Sequence, residues 1–141
     1  MIKPRIIAVD YGIKRVGLAV TDPLGLIATP LKGIETHKVV DFLKHYIQQE
    51  AVEEVVVGKP LQMNNQPSEI ETDIVKFIKL LLKQCPNLRI IRFDERFTSK
   101  LAQHTLFESG LSKKKRRDKL LIDRTSAVIL LQSYLEHKNL N

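Results

Sequence analysis

Four apolar residues, Ile6-Ile7-Ala8-Val9, form the first regular pattern in the chain, and Asp10-Tyr11-Gly12 closes it. The run is too short for a helix and ends in a turn, so it predicts a buried strand finishing on a carboxylate. A second run, Val16 to Thr21, alternates large apolar residues (Val16, Leu18, Val20) with small ones (Gly17, Ala19). The small positions leave one face open to close packing. Few residues separate the two runs, which predicts an antiparallel hairpin with Asp10 at its mouth. Aspartate beside a turn glycine is also ordinary turn chemistry.

Thr21-Asp22-Pro23-Leu24-Gly25 reads as a turn, and Leu26 to Gly33 as a third strand completing a meander. Thr36 is placed to cap a helix running to about Glu50, with Val39, Val40, Leu43, Tyr46 and Ile47 on its apolar face. Glu53 to Gly58 is β-branched and short. A strand there, reached through a helix, would lie parallel to an earlier one. Ser68 and Glu71 have the spacing of a capping box. The helix they would open carries Ile70, Ile74, Phe77, Ile78 and Leu81 on one side and stops near Cys85-Pro86. Leu88 to Phe93 predicts a fifth strand. A short helix is expected from Thr98 or Ser99 to Gly110. A last one is expected from about Asp118 to His137, with Ala127, Val128, Leu131, Tyr134 and Leu135 facing inward. The order predicts an α/β fold: a five-stranded mixed sheet, an antiparallel three-strand meander plus two parallel strands, flanked by helices.

Composition narrows the function classes. A chain of 141 residues builds one domain, spanning 1–141, and 43% hydrophobic content excludes a disordered one. The net charge of +7 points to an anionic partner. Nucleic acid comes before membrane, because no basic amphipathic helix with aromatic anchors stands out. Ser112 to Lys119 alone holds six basic residues. The single cysteine, Cys85, excludes an internal disulfide and suits a reducing compartment. With no signal-peptide pattern and no apolar run of the ~20 residues a span requires, the expectation is a cytoplasmic protein without a membrane partner.

Three acids carry the candidate chemistry. Asp10 ends the first strand and Glu95 follows the last. Asp123 precedes Ala127 by four residues, which sets it along the inward stripe of the final helix. A salt bridge or a cap is the structural alternative for Asp123. Ligands of such sheets gather at the carboxyl ends of parallel strands. Carboxylates brought together there repel, and a divalent cation removes the repulsion. Oxygen ligands without a His/Cys cluster favour Mg²⁺ or Mn²⁺ over zinc. Two such ions roughly 4 Å apart would serve the attacking and leaving oxygens of a phosphodiester.

Lys113, Lys114, Lys115, Arg116 and Arg117 would hold a nucleic-acid backbone. Lys59 contacts phosphate or is a solvated loop lysine. Arg96 binds phosphate or pairs with an acid. Asp94 is the reserve for Glu95. Thr98 and Ser99 read as caps rather than nucleophiles, His37, His45 and His137 as surface residues, and Cys85 as structural. His104 is a weak candidate for substrate contact. Tyr11 could stack on a base, but no aromatic platform is visible along the chain.

The stretches 8–20, 57–61, 94–99 and 122–135 resemble the YqgF family, RNase H-like proteins described both as Holliday-junction resolvases and as pre-16S rRNA nucleases. The resemblance implies an RNase H-like fold and metal-dependent hydrolysis of phosphodiesters leaving a 5′-phosphate and a 3′-hydroxyl. It also implies a role in maturing the 5′ end of 16S rRNA, which favours RNA over DNA. It places the acidic, metal-holding site on Asp10, Glu95 and Asp123. Many RNase H-like nucleases end the fourth strand with an acid. Here that strand ends Val57-Gly58-Lys59, so Glu95 has to serve from the neighbouring strand. Two other readings are a resolvase of branched DNA and a non-catalytic nucleic-acid-binding protein. An actin-like phosphate binder would need a second domain. A resolvase is expected to be a homodimer and a trimming nuclease can be a monomer.

Overall fold

The structure, a computed structural model, describes residues 2–60, 68–98 and 119–139, with side chains in the last segment from 126 onward. Three strands come first: β1 (Arg5–Asp10), β2 (Arg15–Thr21) and β3 (Ala28–Glu35). A single 3-10 turn (Thr36–Lys38) leads into α1 (Val39–Gln49), then β4 (Val52–Lys59), α2 (Glu71–Gln84) and β5 (Arg89–Asp94). A second 3-10 turn (Glu95–Phe97) follows β5, and α3 (Lys119–Asn139) is last. The strands form one sheet in the order β3-β2-β1-β4-β5. β1 and β3 flank β2 antiparallel, and β4 runs parallel to both β1 and β5. This is the expected mixed sheet.

Both faces of the sheet are covered, which is why β1 and β4 read as continuous apolar runs. Ile7, Val9, Val16, Leu18, Val55 and Val57 pack against Val39 and Leu43 of α1 and Ile74, Phe77 and Leu81 of α2. On the other face Ile6, Ala8, Ala19, Val56 and Phe93 meet Ala127, Leu130, Leu131 and Tyr134 of α3. The small residues of β1 and β2 are the ones that let α3 settle close to the sheet. None of the described helices is long and apolar enough to cross a membrane.

The structure corrects three local readings. β3 starts at Ala28 rather than Leu26, because Asp22 gathers the amides of Leu26 and Ile27 at 2.7 and 2.8 Å and holds them in the turn. Thr36 does not cap α1. Its hydroxyl donates to the Gly12 carbonyl at 2.7 Å and its amide to Lys14, stapling the β1–β2 turn. The capping box does not form either. Ser68 offers Glu71 only a main-chain carbonyl, and the Glu71 carboxylate accepts two bonds from Arg92, at 2.6 and 3.0 Å. A bidentate charged pair is stronger than a neutral cap bond. The expected helix up to Gly110 lies outside the described residues.

Candidate active site

An open cleft of about 330 Å³ lies at the carboxyl ends of β1 and β5, lined by Asp10, Glu95, Thr98, Ser126, Ile129 and Leu130. Asp10 is the last residue of β1 and pairs with Gly17 of β2, which adds no side chain beside it. The turn that follows is fixed by glycine chemistry: a Cβ on Gly12 would run into the Arg15 carbonyl. Asp10 is thus presented by a rigid hairpin mouth.

Glu95 arrives from the other direction, as the first residue of the turn after β5. A Cβ placed on Gly58 would stand 2.5 Å from its Oε1. The carboxylate therefore lies over bare backbone of β4. It takes the space that a side chain ending the fourth strand would occupy. Burial raises its pKa; the positive charge of Arg92 opposes that rise and the charge of Asp94 adds to it. Thr98 closes the turn, its hydroxyl donating to the Glu95 carbonyl at 3.0 Å.

Asp94, the reserve acid, is engaged elsewhere. Its carboxylate accepts from the Arg96 guanidinium, with Nη2 to Oδ2 at 2.6 Å, and from the Arg96 amide at 2.9 Å. Those bonds hold its pKa below the ordinary carboxylate value. Of the two readings of Arg96, pairing with an acid is the one observed. Lys59 ends β4, half-buried, close enough to Asp94 and Glu71 to lower both pKa values.

Arg92 escaped the sequence reading. From β5 it donates to the carbonyls of Val57 and Gly58, at 3.4 and 3.2 Å, and to Glu71 at the start of α2. It pins the stretch of β4 on which Glu95 rests. An arginine set between Ile91 and Phe93 was the available signal.

Asp123 falls on α3 three residues before Ser126, and its side chain lies outside the described residues. Lys113, Lys114, Lys115, Arg116 and Arg117 lie outside them too, as do Ser99 and His104. The Tyr11 ring packs on Phe77, centroids 5.1 Å apart. His37 sits 3.5 Å from Glu35 at the surface, and Cys85 follows α2 half-buried.

The cleft's donor set fits a hard divalent cation. Every polar group lining it carries oxygen, two are carboxylates, and one of those is seated where a Cβ would fill the space. Among the described residues no complete group of three metal-capable side chains occurs, Asp10 and Glu95 being two.

A five-stranded mixed sheet with acids gathered at its carboxyl edge defines the RNase H-like class. Over nearly its whole length the fold matches a Thermus thermophilus RuvC in complex with Holliday junction substrate (TM-score 0.66, 13% identity, 99% of this chain and 97% of that one). It also matches a second Thermus thermophilus RuvC structure (TM-score 0.53, 15% identity, 95% and 96%). The chain belongs to the RuvX family, described as Holliday junction resolvase, whose model matches residues 4–137. It is 52% identical over 135 residues to a Flavobacterium johnsoniae protein, covering 96% of this chain and 98% of that one. A Porphyromonas gingivalis protein is 51% identical (94% and 96%) and a Bacteroides fragilis protein 48% (96% and 99%). All three bear the name "Putative pre-16S rRNA nuclease". Nucleases are hydrolases acting on ester bonds.

Proposed function

We propose that the chain is a metal-dependent nuclease that cleaves phosphodiester bonds of structured nucleic acid and matures the 5′ end of pre-16S rRNA in ribosome biogenesis, in the cytoplasm. The observation that carries this reading is the meeting of Asp10 and Glu95 in one cleft, the latter seated over Gly58. RNA is favoured over DNA because relatives about half identical are named for it.

Asp10, Glu95 and Asp123 are the residues that would hold Mg²⁺ or Mn²⁺, as one or two ions. When bound, such ions supply positive charge to the phosphodiester oxygens and acidify water. The chain's own residues do the rest. Asp10 and Glu95 set the position of negative charge at the strand ends. The Thr98 and Ser126 hydroxyls give the cleft neutral polar groups for a phosphate or a water. Ile129 and Leu130 wall one side against solvent. Lys59 and the run from Lys113 to Arg117 draw in the backbone, a contact that weakens steeply with salt.

Resolution of branched DNA is the second reading, favoured by the description of the family itself. It would call for a homodimer, whereas rRNA trimming works for a monomer. Cleavage of a 5′-extended 16S precursor and of a four-way DNA junction, side by side with Mg²⁺, Mn²⁺ or EDTA, separates the two. Metal-dependent cutting of the precursor is expected. Cutting of the junction alone would install the resolvase. Binding without cutting of either substrate would leave a non-catalytic binding protein.

A further inference from the structure

Phe97 and His137 lie far apart in the chain and form one exposed aromatic surface. Phe97 is 61% exposed, and His137 is exposed beside it. Their rings are nearly parallel, 12° apart, with centroids separated by 6.3 Å. Both stand edge-on to the buried Phe93 ring, Phe97 at 6.4 Å and His137 at 5.9 Å. Phe93 in turn stands edge-on to Tyr134. A single exposed apolar side chain is ordinary. Two rings held parallel on a third that belongs to the core have a preset tilt, and preset geometry lowers the entropic cost of binding.

The pair joins the same two elements that wall the cleft. Glu95 and Thr98 line it from the turn after β5, and Phe97 lies between them in sequence. Ser126, Ile129 and Leu130 line it from α3, and His137 lies about 10 Å beyond Leu130 along that helix. Phe97 is thus carried by the same turn that brings Glu95 and Thr98 to the cleft.

We propose that Phe97, backed by His137, is a stacking surface for an unpaired nucleobase of the strand whose phosphate enters the cleft. The contact rests on the nuclease reading and adds a substrate-positioning residue to it. Every base has a π-face, so such a ring binds without regard to sequence. The net charge of +7 supplies attraction to any backbone. A ring adds placement, and it selects single-stranded extensions over duplex, where the bases are already stacked.

Binding is measured in EDTA, so that cleavage plays no part, by fluorescence anisotropy of short single-stranded RNA oligonucleotides. Some are intact and others carry one abasic position walked along the strand. Phe97→Ala and Phe97→Leu are expected to bind the intact strand about tenfold more weakly, within the range of one stacked base. Phe97→Tyr is expected to restore it. With the abasic position at the stacked nucleotide, wild type and Phe97→Ala should bind alike, and 2-aminopurine there should be quenched by wild type but not by Phe97→Leu. Thermal melting of the variants should match wild type, the ring being exposed.

Affinity for RNA unchanged in Phe97→Leu overturns the proposal, including the case where that variant loses a protein partner instead. Losses from Phe97→Ala and from the missing base that simply add also overturn it. Retained coupling in a protein that never cleaves would remove the nuclease reading and keep the stacking site; lost coupling in a protein that cleaves would do the reverse.

Discussion

Two glutamates stand at opposite ends of the same sheet, and their surroundings differ. Glu54, near the start of β4, is 4% exposed. It accepts from the Tyr134 hydroxyl at 2.9 Å and from Lys138 Nζ at 3.0 Å, with Arg89 Nε at 3.5 Å. Burial, then the bond to Glu54, pushes the Tyr134 pKa up to about 12. Glu95, past the other end, is partly buried too, yet no described residue donates a hydrogen bond to its carboxylate, and burial raises its pKa. A buried charge with several partners is part of the scaffold. One held desolvated at the edge of a cleft, with space cleared for it by a glycine, suits a ligand. Glu54 locks α3 onto the sheet through Tyr134 and Lys138.

The sharpest break of this contrast comes from the acids at the cleft. Asp10→Asn and Asp123→Asn are each expected to lower metal-dependent cleavage about a thousandfold, the several kcal/mol that metal charge stabilisation is worth, with circular dichroism unchanged. Gly58→Ala is the next test. Its methyl group would fall on Glu95 Oε1 and displace the carboxylate by about an ångström, for an expected hundredfold loss in rate, read as initial velocity at saturating metal. Glu54→Ala acts on the other end. It should cost about 2 kcal/mol of stability in a urea titration by stranding the Tyr134 hydroxyl and leave cleavage at low temperature intact. A loss of rate there would merge the two ends into one functional unit.

The smallest effect concerns Glu71. Arg92 holds its folded pKa below the ordinary 4.5. The folded state therefore binds fewer protons than the unfolded one in that window. The stabilisation is complete above the unfolded pKa and is lost as pH falls through the lower folded value. Glu71→Gln should cost about 1 kcal/mol at neutral pH and flatten this part of the acid limb, as urea midpoints at several pH values would show.

The five strands were legible because two-sided burial writes apolar runs and the turns carry Gly and Pro. The helix caps were not. Thr36 and Glu71 look like local caps, but each was drawn to a partner on another element, Gly12 and Arg92. Local spacing cannot reveal a distant competitor that binds more strongly. Glu95 was readable as a candidate, and Gly58 was visible as the missing acid of β4. That one residue makes room for the other needed the β4–β5 register, where Lys59 lies beside Asp94. The Phe97–His137 surface left no sequence signal, since its rings meet only once the end of α3 reaches Phe93.

The most direct measurement is cleavage of a 5′-extended 16S rRNA precursor with Mg²⁺ or Mn²⁺ by wild type, Glu95→Gln and Glu54→Gln, each checked for folding by its melt. With Glu95 at the site and Glu54 in the scaffold, Glu95→Gln is expected to lose cleavage and melt no lower than wild type, because a desolvated charge is gone, while Glu54→Gln cleaves normally and melts lower. Full cleavage by a folded Glu95→Gln would contradict that assignment.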